Sequence, residues 1–73
     1  MDLAALLGRL HDAETLVNRL EDNIAFQRQM IARLEGGGHD VRAAKMFLNR
    51  LEAQRAEHAA SRDQLFKQLA NRF

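Results

Sequence analysis

The stretch Ile31-Ala32-Arg33-Leu34-Glu35-Gly36-Gly37-Gly38-His39-Asp40-Val41 decides the fold of this 73-residue chain. Its three consecutive glycines are the one strong break in the sequence. Glycine supplies the positive φ of a helix C-cap and turn, and it weakens any helix that contains it. Asp40 then stands where a second helix needs an N-cap, and Asp2 can cap the first. Both flanks are rich in Ala, Leu, Glu, Gln, Arg and Met, which favour helix, and proline is absent. The pattern predicts helix 1 over about residues 3–35, a Gly-rich turn over 36–39 and helix 2 over about 40–71. At about 1.5 Å per residue each helix would be roughly 50 Å long.

Hydropathy working outward from the turn agrees. With heptad position a at Leu3, Leu10, Val17, Ile24 and Ile31, position d falls at Leu6, Ala13, Leu20, Gln27 and Leu34. Nine of these ten are apolar, which is the seam of a coiled coil. Gln27 is the exception. It either fixes register from inside the seam or points at solvent. A strand reading fails, because the apolar residues do not alternate. The same frame on helix 2 gives Val41, Leu48, Arg55, Arg62 and Leu69 at a, with Ala44, Leu51, His58, Leu65 and Arg72 at d. Its ends are apolar and its middle is polar. Either the helices approach closely there on small alanines, or the stripe drifts toward Ala59, Phe66 and Phe73. Ser61-Arg62-Asp63-Gln64 fits a capping box, yet no glycine or proline precedes it, so helix 2 is read as continuous.

The expected fold class is therefore all-α, an antiparallel two-helix coiled-coil hairpin. Setting Leu34 opposite Val41 pairs positions whose numbers add to about 75, such as Ile24 with Leu51 and Leu10 with Leu65. Residues 1–35 carry four basic and six acidic side chains, and residues 36–73 seven and four. Opposite net charge suits helices lying side by side. Asp12, Glu14 and Glu21 are placed to reach Arg55 and Arg62, in pairs worth about 0–1 kcal/mol each when exposed.

Composition excludes several classes of function. The chain is a single small domain without cysteine, so it has no disulfide, thiolate nucleophile or Cys-ligated zinc. Eleven basic against ten acidic residues give a net charge of +1, which argues against non-specific binding to nucleic acid or anionic lipid. The N-terminus lacks a basic region followed by a long apolar run, and no stretch approaches the roughly 20 apolar residues of a membrane span. The expectation is a cytoplasmic protein. Leu3, Leu6, Leu7 and Leu10 lack the Lys/Arg-rich polar face of a membrane-surface helix.

Little in the sequence points to a reaction. His11, His39 and His58 share no i, i+3 or i+4 spacing, so there is no paired-histidine metal site. Neither helix carries the Glu-x-x-His of a di-iron bundle. The glycines are not part of a phosphate-binding motif, and Asp40 would repel an anion there. Ser61 is the only serine and Thr15 the only threonine; His58 lies one turn before Ser61, but nothing supplies an oxyanion hole. No catalytic residue, metal or cofactor is expected. The basic residues of helix 2, among them Arg55, Arg62 and Lys67, have no interleaved aromatic platform. They are read as a solvated face neutralised by helix 1 rather than a nucleic-acid surface.

Leu16, Phe26, Met30, Met46, Phe47, Phe66 and Phe73 all fall outside the seam. Burial of each would contribute roughly 1.5–3 kcal/mol, and an exposed cluster marks an association site. These seven are the candidate interface. They point to a homodimer, two hairpins forming a four-helix bundle, with a further protein partner as the other possibility.

Ile24-Ala25, Arg28-Gln29 and Ile31-Ala32-Arg33-Leu34-Glu35 also carry a resemblance, continued after the turn by Gly38-His39-Asp40, Ala44, Leu48, Leu51-Glu52, His58 and Arg62-Asp63-Gln64-Leu65. Over roughly residues 16–69 the chain resembles a group of short bacterial helical-hairpin proteins, although Asn23 stands where a histidine is expected. The resemblance implies a small helical hairpin and no particular activity. Together these readings describe a non-enzymatic interaction module, a self-associating small adaptor or regulator. The alternatives are a nucleic-acid-associated protein or a ligand- or metal-responsive bundle around His58, Arg55 and Arg62.

Overall fold

A computed structural model describes residues 2–73. The chain forms two helices, α1 (Leu3–Gly36) and α2 (Arg42–Ala70), folded back on each other as an all-α hairpin. Its extents are 55 × 14 × 14 Å, with a Cα radius of gyration of 16.6 Å. A compact domain of this length would have a radius near 11 Å, so the molecule is a rod one helix pair thick. No helix among the described residues is long and apolar enough to cross a membrane.

The helix ends follow from local hydrogen bonding. Asp2 caps α1: its Oδ1 accepts from the Ala5 N–H at 2.7 Å. At the other end the His39 N–H donates to the Leu34 carbonyl at 2.9 Å, and the Gly38 N–H to the Glu35 carbonyl at 3.0 Å. This crossed pair is a Schellman cap, which requires one residue in the left-handed region. Gly38 fills that role with φ 77°, while Gly37 sits at φ −86° and Gly36 is still helical. Asp40 accepts from the Arg42 N–H at 3.0 Å, and its carboxylate also holds the Arg42 guanidinium at 2.8 Å. The side-chain bond from Arg42, aided by its N–H, lowers the Asp40 pKa. The N-cap position is therefore Val41 and not Asp40 as expected, because α2 begins at Arg42; Asp40 still satisfies the first N–H of the helix from one residue further out. Helix α2 runs without interruption through Ser61, so the capping-box sequence there starts no new helix.

Among the described residues eight side chains are buried, all at a or d positions: Leu6, Leu10, Val17, Leu20, Ile24 and Ile31 on α1, with Leu51 and Leu65 on α2. Six of them, all but Val17 and Ile31, form two clusters. Leu6, Leu10 and Leu65 pack with Ala13 and Leu69 near the open end. Leu20, Ile24 and Leu51 pack with Leu48 toward the turn. These clusters hold the register that pairs Leu10 with Leu65 and Ile24 with Leu51. The polar middle of α2 separates them. Arg55, His58 and Arg62 stay half-buried in the seam, where long side chains can lay their stems over Val17 and Leu20 and keep their heads wet.

The stripe on α2 does not drift onto its flank: Ala59 is half-buried, but Phe66 is 44% exposed and Phe73 92%. Leu3, though in the a frame, is 40% exposed, because its partner position 72 lies beyond the end of α2. Gln27 is half-buried and its amide donates to Asn23 at 3.5 Å, within α1 rather than across the seam.

The glycines yield a direct test by thermal melts at fixed concentration. A Cβ on Gly36 meets nothing within 4 Å, and its backbone is helical. Gly36→Ala should stabilise the chain by about 0.5–1 kcal/mol. Gly38→Ala should destabilise it by about 1–2 kcal/mol, because alanine resists positive φ. Equal effects of the two substitutions would contradict the assigned cap.

Candidate functional site

The heptad frame gives the hairpin two unlike flanks. In an antiparallel pair, e positions of both helices border one side of the seam and g positions the other. On the e flank Arg28 Nη2 lies 2.8 Å from Glu52 Oε1, Lys45 Nζ 3.5 Å from Glu35 Oε1, and Arg55 Nη1 3.8 Å from Glu21 Oε1. The Glu21–Arg55 contact was expected. Arg62 does not reach α1; its guanidinium pairs with the adjacent Asp63 at 3.2 Å. A neighbour in sequence needs no rearrangement of the seam to be met, so the local carboxylate wins.

Three open furrows of about 320–330 Å³ also lie along this e flank. One between Arg28, Ile31, Glu35, Lys45 and Leu48 is largely apolar at its base. The others are lined by charged residues, among them Glu14, Arg62 and Asp63 in one and Glu21 and Arg55 in the other. Each is a gap between ion-paired side chains rather than a closed pocket.

The g flank is different in kind. Its g positions from Leu16 to Met30 on α1, and from Phe47 to Ser61 on α2, are Leu16, Asn23, Met30, Phe47, Gln54 and Ser61. None carries a charge. Leu16 and Phe47 are exposed by 38% and 45%, Met30 is half-buried, and Phe26 beside it on the neighbouring c row is 57% exposed. The seven candidate interface residues are thus spread over three places. Leu16, Met30 and Phe47 border one flank with Phe26. Phe66 and Phe73 lie on the e row of α2 near the open end, and Met46 faces outward at an f position.

The histidines and hydroxyls assemble nothing further. His11, His39 and Ser61 are exposed and His58 is half-buried. Among the described residues no group of three or more His, Asp or Glu comes together to hold a metal ion, and no buried side-chain polar atom lacks a partner. The basic side chains of α2 are substantially engaged, with Arg42 on Asp40, Lys45 on Glu35, Arg55 on Glu21 and Arg62 on Asp63.

No protein-family model, curated protein or solved structure matches this chain.

The polar middle of the seam makes its own prediction. Arg55→Leu would place an apolar side chain level with Leu20 and join the two core clusters. It should raise stability by about 1 kcal/mol in denaturant titrations, despite the loss of the exposed Glu21 contact. A destabilisation of similar size would show that the Arg55–Glu21 pair, not apolar burial, holds that level of the rod.

Proposed function

We propose that this chain is a non-enzymatic protein–protein interaction module: a helical hairpin that pairs with a second copy of itself into a four-helix bundle and serves as a small adaptor or regulator. One observation carries the reading. A line of large apolar side chains, Leu16, Phe26 and Phe47, stands uncovered beside half-buried Met30 on a flank whose g positions from Leu16 to Met30 and from Phe47 to Ser61 are uncharged. Two helices share only one seam, and scattered exposed apolar residues are ordinary, but a row along one flank of a rod is an association surface. Phe66, Phe73 and Met46, which point elsewhere, are left for a protein partner of the assembled bundle. A net charge of only +1, with Arg42, Lys45, Arg55 and Arg62 of α2 paired to carboxylates, supports this reading over contact with nucleic acid, which favours a strongly basic face.

Sedimentation equilibrium with interference detection suits a chain without tryptophan or tyrosine. The wild type should sediment at twice its 8.3 kDa. Phe26→Asp with Phe47→Asp should weaken association by more than about tenfold, since burial of each aromatic side chain contributes roughly 1.5–3 kcal/mol. A wild type that stays at the mass of one chain across a wide concentration range sinks the proposal.

A further inference from the structure

Resting on that reading, we infer which face the second copy covers and how it lies: the two hairpins pack g flank to g flank with their turns at opposite ends, and the two-fold axis passes beside Asn23 and Gln54. The flank's size fits. A face of 55 × 14 Å presents roughly 770 Å², close to the ~800 Å² per partner of a standard stable interface. The e flank is already occupied by ion pairs that such packing would have to strip of water.

Charge chooses the arrangement. Beside the g rows run the c rows, whose exposed charges are Asp12, Arg19 and Arg33 on α1 and Arg50 and Glu57 on α2. None of the five is in an ion pair within the hairpin. With the turns opposed and Asn23 at the axis, Asp12 lies over Arg33 of the second copy and Arg50 over its Glu57, while Arg19 meets the face of its Phe26. Four of the five charges gain an opposite partner and the fifth a cation–π contact. Leu16 then covers Met30 of the second copy, with Asn23 and Gln54 each facing their own counterparts.

The neighbouring registers fail. A slip of one heptad toward the open end sets Arg19 against Arg19 and Glu57 against Glu57. A slip toward the turn sets Arg50 against Arg50 and Arg19 against Arg33. With the turns at the same end, Arg19 meets Glu57, but Asp12 and Arg33 gain no partner and Asn23 lies against Gln54 instead of itself.

The chain has no cysteine, so single cysteines report this geometry cleanly. Full-length Asn23→Cys and Gln54→Cys variants are oxidised separately and as a mixture, after circular dichroism has established that each is helical. A disulfide needs Cα atoms about 4.4–6.8 Å apart. Each variant alone should form a covalent dimer, and the mixture should contain no 23–54 species beyond random collision. A second measurement does not depend on cysteine. Asp12→Arg should weaken dimerisation about five-fold, and adding Arg33→Asp should restore it. Those residues lie about 31 Å apart along one helix, so the rescue can act only between chains. A dimer that yields only the 23–54 species, or neither cross-link and no rescue, overturns this arrangement while leaving self-association standing. A chain that sediments as a monomer overturns both.

Discussion

A helix pair buries one stripe from each partner, and that narrow seam limits everything else in this molecule. On α1 the stripe is nearly complete, with six buried side chains from Leu6 to Ile31. On α2 only Leu51 and Leu65 match it, because Arg55, His58 and Arg62 occupy the a and d positions between them. The core is consequently two small clusters at either end of a polar waist, each too small to be a domain core by itself. Small single-core proteins without disulfides or metals are marginal, and association is a common remedy.

That marginality links the fold to the proposed function. Side chains that could have thickened the hairpin's own core, Leu16, Phe26 and Phe47, instead stand along one flank. The opposite flank is laced by Arg28–Glu52, Lys45–Glu35 and Arg55–Glu21. Exposed pairs of this kind add little to stability. They keep a face hydrated, and so they bias which side of the rod a second apolar surface can cover. In this account the dimer completes the core that one hairpin leaves unfinished.

Much of the fold was legible in the sequence, because α1 keeps one heptad frame through to Ile31 and the glycines mark the turn. The register was legible too, since Ile24 opposite Leu51 and Leu10 opposite Leu65 follow from closing the hairpin at Leu34 and Val41. What periodicity could not reveal was the behaviour of the α2 waist. Drift onto Phe66 looked attractive on hydropathy, yet the arginine stems can line the seam without moving the stripe. The triple glycine also conceals its division of labour, for only Gly38 needs positive φ, and that emerges from the cap's hydrogen bonds. At the candidate site, the seven off-seam residues were visible individually. Their separation into two flanks and an outer face depends on the e and g rows, which acquire meaning only once the helices are paired. Arg62 shows the limit of charge matching by helix: the adjacent Asp63 captures it before any carboxylate of α1 can.

The central claim is that folding and self-association are one event. It is tested most directly by the thermal midpoint as a function of protein concentration over three decades or so. Mass action requires a dimer whose second copy completes the core to melt at higher temperature as concentration rises. A steady increase in Tm with concentration is the result expected here. A cooperative transition whose midpoint stays constant over the same range would contradict it, because the hairpin would then be stable alone and its uncovered flank would have no part in holding it together.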